Sequence, residues 1–155
     1  MRTIHQWLSE YGDSHTNETN KLIHWICVPA IFFSITGLLY SIKFPLVLAH
    51  NLQLNAAMIA LLLATIYYLS LSIKVGIGML LFGFVCLGVC YIVEVFLPFP
   101  LWLFCVIIFV LAWIGQFYGH KVEGKKPSFF KDIQFLLIGP MWLMSFVYKK
   151  IGISF

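Results

Sequence analysis

Residues 113–127 read WIGQFYGHKVEGKKP and mark where a long apolar run gives way to the densest basic patch in the chain. Gln116, His120 and Glu123 fall here at spacings of four and three. A helix continuing past Tyr118 therefore puts each neighbouring pair on one face. Ionisable side chains at the lip of an apolar helix are costly to leave near hydrocarbon and tend to be functional. A second polar cluster, Tyr11 to Asn20 with His24, comes just before the first apolar run. The two clusters are expected to meet at one membrane surface.

Composition sets the class. Hydrophobic residues make up 61% of the 155 and charged residues only 10%, against roughly 25% charged in soluble domains. The chain is expected to be one integral membrane domain, residues 1–155. The formal net charge of +4 is spread thinly, so it reads as a topology signal rather than a nucleic-acid footprint. Residues 1–21 hold no apolar core and no small-residue cleavage site, and no cleaved signal peptide is expected. Cys27, Cys86, Cys90 and Cys105 all fall inside apolar runs without a CxxC pair, which fits small packing residues.

The pattern predicts an all-α polytopic helical bundle with four transmembrane helices. Ile4, Trp7, Leu8 and Tyr11 recur at helical spacing, so a short amphipathic helix lying on the membrane is expected first. Asp13 and Ser14 interrupt it, and Asn17, Thr19 and Asn20 offer capping chemistry for the next helix. Apolar runs near the ~20 residues needed to cross a bilayer cover about 22–42, 54–73, 77–97 and 101–118. Lys43 to Gln53, with Pro45 and His50, reads as a loop, as does Lys74 with Gly76. Pro98-Phe99-Pro100 reads as a tight turn. The segment 133–148 is short and carries Gly139-Pro140, which favours a re-entrant or interfacial hairpin, with a tilted fifth span as the alternative.

Four spans place Arg2, Lys21, Lys74, Lys121, Lys125, Lys126 and Lys131 on one side and Lys43 on the other. The positive-inside rule makes the first side cytoplasmic. His15, His24, His120 and Glu123 then share the cytoplasmic layer. His15 and His24 are nine residues apart, so on one unbroken helix they would be about 13 Å apart and face opposite ways. They can share a ligand only if the chain breaks between them. Imidazole and carboxylate are the donors expected for non-haem Fe(II) or zinc. His5 and His50 read as surface residues, and Glu94 as a snorkelling or hydrogen-bonded carboxylate. No nucleophile elbow, phosphate loop, HExxH or dinucleotide fingerprint is present.

Taken together, Tyr11-x3-His15-x4-Asn20-Lys21-x2-His24-x4-Pro29 and Trp113-x2-Gln116-Phe117-x-Gly119-His120-x2-Glu123-x3-Pro127 resemble the signature of the membrane-bound 2-hydroxy fatty acid dioxygenases. The resemblance covers nearly the whole chain. Glu18 stands where the family pattern leads one to expect proline, and Cys27 where it leads one to expect glycine. The resemblance implies an Fe(II)-dependent oxygenase of fatty acid α-oxidation that shortens a 2-hydroxy fatty acid by one carbon, using molecular oxygen. It implies His15, His24 and His120 as iron ligands, with Glu123 a fourth ligand or a partner that orients a histidine. Tyr11, Asn20 and Gln116 are then candidates for hydrogen bonds to the substrate head, and Lys21 or Lys121 for attracting its carboxylate. Two other readings use the same residues: a zinc-dependent membrane lipid hydrolase, and a non-catalytic membrane scaffold or transporter. A bacterial inner membrane or an endoplasmic reticulum membrane would suit the chain, and its brevity favours the former.

Overall fold

The computed structural model describes residues 3–13, 15–49, 52–124 and 135–154. Its described residues are mostly helical. In chain order they form α1 (Ile4–Gly12), α2 (Glu18–Tyr40), β1 (Lys43–Ala49), β2 (Leu52–Asn55), α3 (Ala56–Leu71), α4 (Ile73–Phe96), α5 (Leu101–Glu123) and α6 (Ile138–Lys150). Three of them, α2, α4 and α5, are long and apolar enough to cross a membrane. The expected second span is shorter: α3 has 16 residues, about 24 Å against a hydrocarbon core of roughly 30 Å.

The helices are apolar on the outside, as a lipid-facing bundle requires. Leu63 on α3, Phe84 on α4 and Leu111 on α5 are each more than 60% exposed. Exposed apolar surface on this scale would aggregate in water and suits a lipid environment. Polar atoms turn inward instead. Ser34 and Thr36 donate to the carbonyls of Ile31 and Phe32 within α2.

Small residues let α2 and α5 approach closely along antiparallel paths. A Cβ added at Gly37 would lie 2.2 Å from the Cys105 sulfur, and one at Gly115 would lie 2.6 Å from that of Cys27. Such close approach is how membrane helices gain packing when lipid removes the hydrophobic drive. The cysteine at position 27 is thus accommodated by the glycine across from it. The four cysteines are free and buried, as their apolar setting suggested.

Several boundaries differ from the sequence reading. Residues 43–55 contain an antiparallel β-hairpin rather than a loop, pairing Val47 with Gln53; His50 lies outside the described residues. Phe44, Leu46 and Leu48 are exposed there, and a run of Leu and Val fits a strand as well as a helix. Asn55 ends the hairpin and caps α3 by accepting from Met58 N at 3.2 Å, so that helix starts at Ala56. Gly76 lies inside the first turn of α4 rather than in a loop. There the α3–α4 corner brings Leu69 within 2.5 Å of where a Cβ would stand. The hairpin anchors to the bundle through Lys43, whose Nζ is 3.1 Å from Glu94 and 3.6 Å above the Tyr40 ring.

The two ends of the chain pack on each other. A capping box between Thr3 and Gln6 starts α1. Its apolar face, Ile4 and Tyr11, is buried in a core shared with Ile138, Met141 and Trp142 of α6. That helix therefore packs on α6. The expected C-terminal hairpin is, among the described residues, a turn at 135–137 and one helix of 13 residues. Gly139-Pro140 occupies its first turn, where proline is tolerated because the missing N–H has no intrahelical partner to lose. Tyr148 ties it to α4 by donating to Lys74 O at 2.6 Å.

A Gly37→Ala substitution is expected to destabilise the bundle by about 1–3 kcal/mol, read as a lowered melting midpoint in detergent. Adding Cys105→Ala should restore part of the loss, because the sulfur is the atom the new methyl meets. An unchanged midpoint in the single variant would contradict the close approach.

Candidate metal centre

The break required between the two early histidines is present. α1 ends at Gly12, Asp13 forms its C-cap, and α2 starts again at Glu18. Asn17 caps α2 by accepting from Thr19 N and Asn20 N. Glu18 takes the first helical position, where proline would also fit, and its charge suits the helix N-terminus. The break turns His15 back toward His24.

α5 supplies the third histidine by running five residues beyond the expected boundary at Tyr118. It stops at Gly124, which adopts φ 74°, the left-handed conformation that favours glycine. His15, His24 and His120 are buried, at 4%, 1% and 5% exposure. One nitrogen from each lies within 4.8 Å of the others. Residues separated by more than a hundred positions thus converge in one cluster.

The hydrogen bonds decide its chemistry. His15 Nδ1 is 2.7 Å from Tyr11 O, and His24 Nδ1 is 2.9 Å from Asn20 O. A carbonyl can only accept, so each Nδ1 carries the ring proton. Each Nε2 then presents a bare lone pair, and these two atoms face each other at 2.9 Å. Two lone pairs at that distance repel unless a proton or a cation lies between them. Nitrogens bound at right angles to one ion, each at about 2.1 Å, would sit about 3 Å apart. The donor set therefore fits a metal, and backbone carbonyls holding the far ring nitrogen are the usual orienting device.

Glu123 is placed beside this cluster with its oxygens committed elsewhere. Oε1 accepts from Thr16 N at 2.8 Å and from the Thr16 hydroxyl. Oε2 accepts from Asn17 N at 3.0 Å and from Asn20 Nδ2 at 2.9 Å. The carboxylate thus staples the α1–α2 break, which carries His15, to the end of α5. Asn20 is fully buried, and its Oδ1 lies 2.4 Å from where a Gly119 Cβ would be. Any larger residue at 119 would push the two helices apart at the site.

Tyr11 stacks on His15, with ring centroids 4.3 Å apart and planes 14° from parallel. Gln116 is buried and lines a cavity of about 30 Å³ with Tyr11, Trp113 and Phe135. The two lysines are not drawn into the cluster. Lys21 Nζ pairs with Glu18 at 2.9 Å, and Lys121 is exposed. Lys125, Lys126 and Lys131 lie outside the described residues. Sequence reasoning missed Trp142, whose ring lies 5.4 Å from that of His15 and 5.3 Å from that of Tyr11. It missed Thr16 as well. An apolar segment gives no cue that one of its tryptophans covers a polar site.

Three helices able to cross a membrane, with a buried three-histidine cluster at one end, define the class: an apolar helical bundle carrying a site that could hold a metal. The sequence model of the family described as 2-hydroxy-palmitic acid dioxygenase Mpo1-like matches residues 1–151, and the chain belongs to that family. It is 31% identical over 149 residues to the 2-hydroxy-palmitic acid dioxygenase MPO1 of Saccharomyces cerevisiae, covering 94% of this chain and 79% of that protein. No solved structure matches.

Replacing Glu123 by alanine is expected to weaken divalent-metal binding by roughly 10–100-fold, the usual cost of losing a residue that orients metal ligands. Glu123→Gln should lose less, since one oxygen still accepts from the loop. Titration calorimetry with Fe(II) or Zn(II) measures both. Equal losses in the two variants would argue for direct ligation instead of stapling.

Proposed function

We propose that the chain is an iron-dependent dioxygenase that shortens 2-hydroxy fatty acids by one carbon at the membrane rim. The observation that carries this reading is the pair of Nε2 atoms 2.9 Å apart, with a His120 nitrogen within 4.8 Å, in a member of a family described as 2-hydroxy-palmitic acid dioxygenase Mpo1-like. The net change would be R–CH(OH)–COOH + O2 giving R–COOH, CO2 and H2O. Oxygen takes up four electrons, three from the hydroxyl-bearing carbon and one from the carboxyl carbon. The C1–C2 bond breaks.

His15, His24 and His120 would hold the iron, and Glu123 acts as their staple rather than as a fourth ligand. Iron when bound would supply the oxygen-activating redox chemistry that zinc lacks. The remaining work falls to the protein. Tyr11 and Trp142 flank the His15 ring and exclude water from it. Gln116, one turn before His120, offers its amide to the substrate head. Asn20 acts by holding Glu123 and His24 in place. Lys21 and Lys121 stay outside the site and draw the carboxylate toward the rim by long-range attraction.

The orientation follows from charge. Lys21, Lys74, Lys121, Lys149 and Lys150 occupy the site's end of the bundle, and Lys43 the opposite end. With α3 as a shorter fourth crossing, the positive-inside rule puts the site and the N-terminus on the cytoplasmic side. Three imidazoles also suit zinc, so the metal is the point on which a hydrolase differs.

The test is oxygen uptake by iron-loaded protein in detergent. With 2-hydroxypalmitate, uptake should match the appearance of the acid one carbon shorter, and palmitate should give none. His24→Ala and His120→Ala should abolish the reaction and the bound iron together. An iron-loaded wild type that consumes no oxygen, or a zinc form that alone cleaves lipid esters, would overturn the assignment.

A further inference from the structure

A second cavity lies between α2 and α3, in the part of the bundle that the histidine cluster does not reach. Its volume is about 340 Å³, within the range of roughly 300–1,000 Å³ typical of ligand sites. Phe32, Ile35, Thr36 and Leu39 of α2 form one wall. Ala57, Ala60 and Ala64 on one face of α3 form the other. Small side chains there create the space that leucines would fill.

The lining excludes most ligands. No Asp, Glu, Lys or Arg contributes to it. Its single hydroxyl, that of Thr36, is spent on Phe32 O at 2.8 Å. A chamber without an open polar group binds hydrocarbon.

Its position says which hydrocarbon. Leu136 lines this chamber and also the small cavity beside Tyr11 and Gln116. Ile31 faces that small cavity and Phe32, the next residue, faces the chamber. Tyr68 of α3 fixes the intervening turn by donating to Leu137 O at 2.7 Å. The path from His24 to Leu39 follows fifteen residues of α2, about 22 Å at 1.5 Å per residue. One leaflet of a bilayer, filled by single acyl chains, is about 15 Å of hydrocarbon. The path is therefore long enough for a long-chain tail whose head sits at the histidines.

Resting on the oxygenase reading above, we propose that this chamber receives the substrate's alkyl tail and that Ala60 and Ala64 gauge its length. Ala64 lies toward the site and Ala60 one turn deeper, so bulk at the two positions should cut the tail at different depths.

Two measurements test this together. Oxygen uptake is followed for Ala60→Phe, Ala64→Phe and wild type with 2-hydroxy acids from octanoate to palmitate. Both variants should keep their iron and turn over 2-hydroxyoctanoate, while kcat/KM for 2-hydroxypalmitate falls by at least ~10-fold. The cut-off should be shorter for Ala64→Phe. Leu39→Ala, which enlarges the far end without crowding, should extend acceptance to longer chains. A length profile unchanged in folded, iron-bearing variants, as expected if bilayer lipid fills the chamber, overturns the proposal. In parallel, a 2-hydroxy fatty acid with a diazirine near its tail end is crosslinked to wild type and mapped by mass spectrometry. Labels should fall within 32–39 and 57–64 and be displaced by 2-hydroxypalmitate. This arm decides the chamber even if wild type consumes no oxygen, which would count against the reaction alone; labels elsewhere would sink the tail site.

Discussion

Two imidazole nitrogens held 2.9 Å apart inside an apolar bundle, each on a ring whose other nitrogen donates to a backbone carbonyl, are the feature on which the rest of the structure depends. Left alone, that contact is repulsive. The protein maintains it by committing each opposite ring nitrogen to a backbone carbonyl four residues upstream. It then covers His15 with Tyr11 and Trp142. Such an arrangement stores a demand for positive charge. A metal ion would meet that demand, and a third histidine within reach gives the cluster a donor set that could hold one.

Other features of the fold follow from keeping that cluster together. The break after Gly12 is what allows two histidines nine residues apart to meet. The continuation of α5 to Glu123 brings the third histidine and the carboxylate that clamps the break. Small residues between α2 and α5 keep the helices close enough for Asn20 to reach Glu123 from a fully buried position. Helix α6 is shorter than the roughly 20 residues a crossing needs. At 13 residues it serves as a cover, anchored to α4 through Tyr148 and to α1 through Trp142.

Much of this was legible in the residues. Apolar runs of crossing length located the helices, and the His15–His24 spacing demanded a break that the Asn17 region could supply. Both polar motifs pointed to one end of the bundle. What could not be read were decisions made by tertiary contacts. Lys43 to Gln53, with Pro45 and His50, looked like a loop, and cross-strand pairing makes Lys43–Ala49 and Leu52–Asn55 a hairpin. Gly139-Pro140 looked like the bend of a hairpin because the start of α6 was invisible until α1 packed against it. Lys21 and Lys121 showed their charge but not their place: one pairs with Glu18 and the other is exposed outside the cluster. Glu123 read as either a ligand or an orienting partner, and its hydrogen bonds to Thr16, Asn17 and Asn20 come from residues whose meeting with it only the fold creates.

The central claim is that three histidines from separate parts of the chain bind one metal ion. X-ray absorption on the iron-loaded protein tests it most directly, by counting imidazoles from their multiple-scattering signature. Wild type should show three, and His15→Ala, His24→Ala and His120→Ala two or fewer with reduced iron. A shell without imidazole, or an imidazole count that ignores these substitutions, would contradict the account.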